Sequence, residues 1–202
     1  MYNNWSGRVV SIFSHIYLLK AGIWYVRIWQ VVAILIIFHL SYKIAIQALG
    51  INKSGYLFML SIALYLAMPT SALVKGVYWY ISASAYLWGM PFFLLGVYLS
   101  YKTDKVTFFP FVLIAFSATF HELMGVAVIA FLFSFLLLNI KKFEFKRIAY
   151  SFLPIMAAMV TILAPGNFAR KHVSNYGVQD TYSLVVNNFI IIVNSLFSPD
   201  LF

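Results

Sequence analysis

The chain has 202 residues, of which 63% are hydrophobic, 19% aromatic and only 9% charged. A soluble domain carries roughly 25% charged residues, so most of this surface must face something other than water. That excludes a water-soluble enzyme, a disordered tail and a nucleic-acid-binding domain, and it describes a polytopic membrane protein. The +9 balance comes from fourteen Lys and Arg against five acids. These cations sit singly or in pairs between apolar runs, as the loop charges of a membrane protein do. With no cysteine in the chain, disulfides, thiol nucleophiles and thiolate metal sites are absent. Residues 1–8 lack the basic start and small-residue cleavage site of a signal peptide, so the internal spans are expected to drive insertion.

In chain order, apolar residues at 9, 12, 13, 16, 19 and 23 predict a helix over 9–26. Ser11, Ser14, His15 and Lys20 interrupt its apolar character. It reads as an amphipathic helix lying in the membrane interface, with a tilted span as the rival. A spanning helix needs about 20 apolar residues, and segments 28–49, 56–73 and 81–99 meet that length. Segment 108–140 is 33 residues long, roughly 50 Å as a helix, which is too long for one untilted crossing. Only His121-Glu122 interrupts it, so two short helices are expected to meet at that pair. Segment 148–164 forms a further span, stopped by the turn signal Ala164-Pro165-Gly166-Asn167. A last short one is expected over 182–197.

The predicted fold is therefore all-α: a polytopic transmembrane helical bundle of about six or seven membrane segments, with an N-terminal interfacial amphipathic helix. It forms a single integral membrane domain. Residues 1–27 make the interfacial region, 28–164 the main bundle, 165–181 an outer loop and 182–202 the last short segment. If 108–140 crosses twice, one face carries Lys43, Lys53, Lys102, Lys105, Lys141, Lys142, Lys146 and Arg147, and the other carries Arg8, Lys20, Arg27, Lys75, Arg170 and Lys171. A single crossing gives an equally weak imbalance. Segment length favours two crossings, as does the compact basic run Lys141-Lys142 to Lys146-Arg147, which suits a cytoplasmic face.

Four constellations could carry chemistry. Glu122 is the one acid inside an apolar run. A carboxylate near the bilayer centre costs roughly 2.5–3.5 kcal/mol on insertion scales, so such a residue usually faces a partner or a cavity. Burial suits it to general-base work, and a nearby Arg would keep it ionised; the bland alternative is a helix-end ion pair made for packing. His121, its neighbour, would point elsewhere on a continuous helix. No second His or acid stands at ligand spacing, so neither a metal site nor a cofactor is expected.

The second constellation, Ala164-Pro165-Gly166-Asn167-Phe168-Ala169-Arg170-Lys171, joins a helix end to a turn and two cations. It is a candidate anion cradle, because Arg supplies the fork that phosphates favour; a helix stop with snorkelling cations is the alternative. In the third, Lys75 precedes the aromatic run that includes Tyr78, Trp79, Tyr86 and Trp88, interleaved with Ser, Ala and Gly. Such aromatics gather at membrane interfaces, or they form a flat surface for sugar or lipid. Fourth, Trp5-Ser6-Gly7-Arg8 places a cation at the head of the first helix. His39, Lys43 and Gln47 share a helix face at spacings of four, expected to turn inward with Lys43 snorkelling. P-loop, dinucleotide, serine-hydrolase and zincin motifs are all missing.

Taken in order, Trp5-Ser6-Gly7-Arg8, the pattern from Trp79 to Trp88, His121-Glu122 and Ala164-Pro165-Gly166-Asn167 leading into Arg170 resemble a family of largely uncharacterised bacterial polytopic proteins. That family is grouped by fold with the GT-C membrane glycosyltransferases. The resemblance covers most of residues 1–171, and the Ala-Pro-Gly-Asn-x-x-Arg run is its most specific part. It implies a multi-pass protein of the bacterial cytoplasmic membrane with its site on the outer face. There a sugar would pass from a polyprenyl-phosphate carrier to an envelope glycan or lipid acceptor.

By that resemblance Arg8, Glu122, Asn167 and Arg170 would line the site. Arg170, with Arg8 or Lys75, would neutralise the departing phosphate, Glu122 would accept the acceptor proton, and Tyr78, Trp79, Tyr86 and Trp88 would hold sugar or prenyl chain. GT-C enzymes also carry an acid in a first outer loop, and no acid precedes Asp104 here, so an N-terminally incomplete chain is expected. The alternatives are a non-catalytic membrane subunit working with a partner subunit in polysaccharide assembly, and a polysaccharide polymerase or transporter. A subunit would be sensitive to packing at Gly89 or Gly96.

Overall fold

The computed structural model describes residues 8–50, 55–68, 73, 74, 77, 79–102, 106–138, 145–165 and 167. Its elements are helical. α1 (Val9–Ala21) ends at Gly22, whose φ of +120° suits a residue without Cβ and whose N–H donates to Leu18 O and Leu19 O. α2 (Ile23–Leu49) follows at once and stops at Gly50, which is left-handed at φ +62° and donates its N–H to Ile46 O. α3 (Gly55–Leu66) runs back along α2, with Tyr42 against Phe58 and Phe38 against Tyr65 in edge contacts of 5.7 and 5.2 Å.

The chain then passes through the short α4 (Tyr80–Tyr86) into α5 (Met90–Lys102). α5 runs alongside α2 in the same direction. Val26 shares a buried cluster with Trp88 at one end, and Gln47 Nε2 donates to Tyr101 O at 2.6 Å at the other. α6 (Phe109–Ala118) returns against α5, with Pro110 in its first turn, where a missing N–H costs nothing. α7 (Glu122–Leu138) and α8 (Phe145–Ile162) complete the bundle as an antiparallel pair. Gly125 lies against Ala158 and Ile162, and Phe135 lies under the guanidinium of Arg147.

Two buried clusters hold these elements together. Phe111, Ile114, Ala118, Val128, Leu132 and Ala158 join α6, α7 and α8. Val26, Ala83, Trp88 and Phe120 join α2, α4 and the turn before α7. Outside them, large apolar side chains such as Leu35, Val126, Phe133, Phe152 and Met156 point outward, which suits a lipid environment and not water. Among the described residues three helices are long and apolar enough to cross a membrane: Ile23–Leu49, Ser82–Lys102 and Phe145–Ile162. Val9–Ala21, Phe109–Ala118 and Glu122–Leu137 are apolar but shorter. These helices suggest a membrane protein, and an all-helical one. The expected total of six or seven spans is not confirmed, since among the described residues several apolar helices of the bundle are shorter than a full crossing.

Several boundaries differ from expectation, each for a local reason. The helix expected over 9–26 breaks at Gly22, so the span expected from residue 28 starts at Ile23 instead. The first helix also reverses an amphipathic surface helix in part. Ser11 is its buried residue, while Phe13, Ile16 and Tyr17 are exposed. The 81–99 segment divides around Leu87–Gly89 into α4 and α5. The long 108–140 segment divides, as its length predicted, between Ala118 and Glu122. His39 turns outward while Gln47 reaches Tyr101, since positions four apart drift by about 40° per step on a helix. The outer loop from residue 168 and the last segment, 182–202, lie outside the described residues.

Among the described glycines the tightest surroundings are at Gly96. A Cβ there would stand 2.6 Å from Ile114 Cγ1 and 2.8 Å from Pro110 O. A backbone carbonyl cannot step aside as a flexible side-chain tip can. Gly96→Ala is therefore expected to cost about 1–3 kcal/mol, seen as a lower unfolding midpoint in detergent. Gly55→Ala, where a Cβ meets nothing within 4 Å, is the control and should leave the midpoint unchanged.

Candidate functional site

The site is built where the apolar run breaks. α6 ends at Ala118, and the chain turns through Thr119 and Phe120, whose N–H groups donate to Phe116 O and Ser117 O at 3.2 Å. His121 then stands just before the first residue of α7. Its Nδ1 accepts the N–H of Leu123 at 3.0 Å, satisfying one of the donors that a helix start leaves unpaired. With Nδ1 accepting, the neutral ring carries its proton on Nε2, which stands 3.4 Å from Glu122 Oε2. His121 therefore does not point away from Glu122 as it would on a continuous helix. It precedes the helix, and capping turns its ring back over the first turn.

Glu122 opens α7, where the helix dipole favours negative charge. Arg8, one residue before α1, donates from Nε to Glu122 Oε2 at 2.8 Å. The two side chains are 28% and 18% exposed, so the pair is screened less than a surface salt bridge. It joins residues 114 apart in sequence. A second polar contact runs beside it, as Ser11 Oγ and Ser84 Oγ lie 3.2 Å apart and tie α1 to α4. Tyr86, at the end of α4, lays its ring 4.3 Å from that of His121, tilted by 39°.

Of the residues the sequence singles out, Arg8, Glu122, His121 and Tyr86 come together. Trp88 does not join them. It is buried in the cluster with Val26, Ala83 and Phe120, and its indole Nε1 meets no hydrogen-bond partner among the described residues. Trp79 is exposed. The Nδ2 of Asn167 donates to Thr161 O and Ile162 O at 2.9 and 3.1 Å, so it closes the end of α8. Lys75, Tyr78 and Arg170 lie outside the described residues, as does the Trp5-Ser6-Gly7 run. Among the described residues no three His, Asp or Glu side chains gather at metal-binding range.

Two cavities border the cluster. One of about 340 Å³ lies between α2, α3 and the α4–α5 joint, against Ile34, Phe38, Tyr65, Leu87, Tyr86 and Met90. Another of about 200 Å³ lies between α5 and α7, against Phe93, Met124 and His121, and again against Tyr86 and Met90. Tyr86 and Met90 are thus a wall common to both. The larger falls within the range of ligand sites, roughly 300–1,000 Å³, and both are apolar except at the tyrosines, Ser61 and His121. Sequence reasoning missed a further polar residue, Gln30. It is buried on α2, its Nε2 donates to Val77 O at 3.1 Å, and it accepts from Arg27 Nη1 at 3.3 Å. An amide inside an apolar run was the available signal.

Removing Arg8 alone should leave a carboxylate in a poorly solvated position. Arg8→Gln is expected to destabilise the protein in detergent by about 1.5–3 kcal/mol, the range for hydrogen bonds to charged groups. Adding Glu122→Gln should recover part of that loss, and a double-mutant cycle on the unfolding midpoint measures the coupling. Strict additivity would mean that the pair contributes nothing. Comparison with known protein families, with curated proteins and with solved structures finds no match to this chain.

Proposed function

We propose that the chain is a membrane glycosyltransferase of the GT-C type, moving a sugar from a polyprenyl-phosphate carrier to a cell-envelope glycan or lipid. The observation that carries the reading is the Glu122 carboxylate, held at a helix start by Arg8 at 2.8 Å and flanked by His121 and Tyr86 beside an apolar cavity. A transferase acting on a lipid-linked sugar needs that combination: a fixed base, an aromatic face for a sugar ring, and apolar space for a chain. In the proposed reaction Glu122 takes the proton from the acceptor hydroxyl. The acceptor oxygen bonds to the anomeric carbon, and the bond from that carbon to the phosphate oxygen breaks. Its electron pair leaves with the lipid phosphate. Arg170, with Lys75, is assigned to that developing charge, and Arg8 keeps Glu122 ionised and oriented. The acting face is proposed to be the outer one of the cytoplasmic membrane.

A second reading has an observation of its own. The Arg8–Glu122 pair also ties the start of α1 to the start of α7, which is a sufficient reason for a purely structural pair. On that reading the chain is a non-catalytic membrane subunit of a polysaccharide-assembly system.

The two readings separate at Glu122→Gln, assayed in a strain lacking the native gene, with membrane abundance measured alongside glycan modification. The enzyme reading expects insertion at the normal level and modification reduced at least about 100-fold, the lower end of general-base contributions. Normal insertion with full modification would remove the transferase reading and leave the subunit.

A further inference from the structure

The end of the bundle opposite Glu122 has a different chemistry. Lys102 closes α5, and Lys146 and Arg147 lie in the first turn of α8. In sequence the flanking stretches carry Lys105, Lys141 and Lys142 against Asp104 and Glu144, and among the described residues this end is cationic. Arg147 is held in place, with its guanidinium 5.6 Å over the Phe135 ring. Tyr101 packs on the same Phe135 at 5.6 Å, which brings the end of α5 beside the arginine. Lys102 Nζ stands 5.6 Å over Tyr98. A cleft between Ser100, Thr107, Pro110, Phe135 and Arg147 holds only about 10 Å³, room for about one water.

Exposed apolar rings surround these cations. Tyr101, Phe108, Phe109 and Phe145 are all exposed at this end. Cationic groups above a collar of exposed aromatic rings match an amphiphile with an anionic head and apolar chains. They match a soluble acidic protein or a nucleic acid poorly, since either would leave the rings in water.

We propose that this end of the bundle binds an anionic phospholipid. The headgroup phosphate is taken by Arg147 with Lys102 and Lys146, and the acyl chains lie along Tyr101, Phe108 and Phe109. A guanidinium presents its donors in a planar fork that matches phosphate geometry. The inference rests on the chain lying in a bilayer and not on the transferase reading, and either can fail without the other.

The test uses the full chain in vesicles of phosphatidylcholine, alone or doped with phosphatidylglycerol, with the lipids retained on gentle extraction read by native mass spectrometry. The wild-type chain is expected to retain phosphatidylglycerol in preference to phosphatidylcholine. Lys146→Gln, at an exposed position, and Arg147→Gln are each expected to weaken that preference roughly five-fold, the equivalent of one basic residue at a charged membrane surface. Lys20→Gln, exposed on α1 away from this cluster, should leave it unchanged. If Arg147→Gln does not fold, Lys146→Gln decides alone. Added inorganic phosphate should not displace the lipid; displacement would show that the site reads free phosphate and would overturn the proposal. Equal retention in wild type and Lys146→Gln would overturn it too, as would an equal loss with Lys20→Gln.

Discussion

An ionised carboxylate in an otherwise apolar chain must be compensated where it sits, and Glu122 is compensated by several neighbours acting together. Arg8 approaches to 2.8 Å, His121 Nε2 to 3.4 Å, and the start of α7 adds the favourable end of a helix dipole. Each of these makes a demand on the fold. For the dipole to help, a helix must begin at residue 122, so the long apolar segment has to break there. For Arg8 to reach it, α1 must lie over α4 and the start of α7, and the sharp joint at Gly22 permits that course before α2 sets off through the bundle. The Ser11–Ser84 contact fixes the same approach from the side. The break, the joint and the course of the first helix all bring compensation to that one charge.

Close packing then decides how accurately these parts meet. In lipid the hydrophobic effect does not drive helices together, so small residues that let backbones approach become the means of association. Gly89 lies against Ser117 O and the Phe120 side chain, two residues before Glu122, and Gly125 lies against α8 three residues after it. The segment that carries the carboxylate is thus braced on both sides by glycine contacts. Trp88 sits next to Gly89 in the buried cluster with Phe120. That is why it belongs to the scaffold under the site and not to the site's surface.

The sequence made some of this legible and hid the rest for physical reasons. The length of the 108–140 segment and its single polar interruption were enough to predict two helices. Helix ends, by contrast, depend on local geometry that composition does not carry. On a continuous helix His121 would point away from Glu122, and even two helices meeting at this pair do not say which residue begins the second. Its role as a cap follows only once the helix starts beside it. Asn167, which the motif with Arg170 offers as a ligand-facing amide, also closes two carbonyls at the end of α8 through its Nδ2, a contact the motif does not signal. The Gly22 joint was hidden because the apolar spacing from Leu19 to Ile23 runs straight across it. The Ser11–Ser84 contact, between residues 73 apart, has no local signature at all.

The two ends of the bundle solve opposite electrostatic problems. At the Glu122 end the charges are matched inside the protein, so Arg8 and the carboxylate need no outside partner to be stable there. At the Arg147 end, cations outnumber the acids beside them in sequence and an aromatic collar stands exposed, so the surrounding medium must supply the matching charge. A bilayer with anionic headgroups does so without a protein partner, and the positive-inside tendency would turn this end toward the cytoplasm. The end that pairs its carboxylate internally, with its histidine and two cavities, would then face outward. In that orientation the basic end would anchor the bundle through lipid, leaving the Glu122 end to meet lipid-linked substrates. The proposed chemistry and the proposed lipid contact are thus separate claims that fit the same orientation.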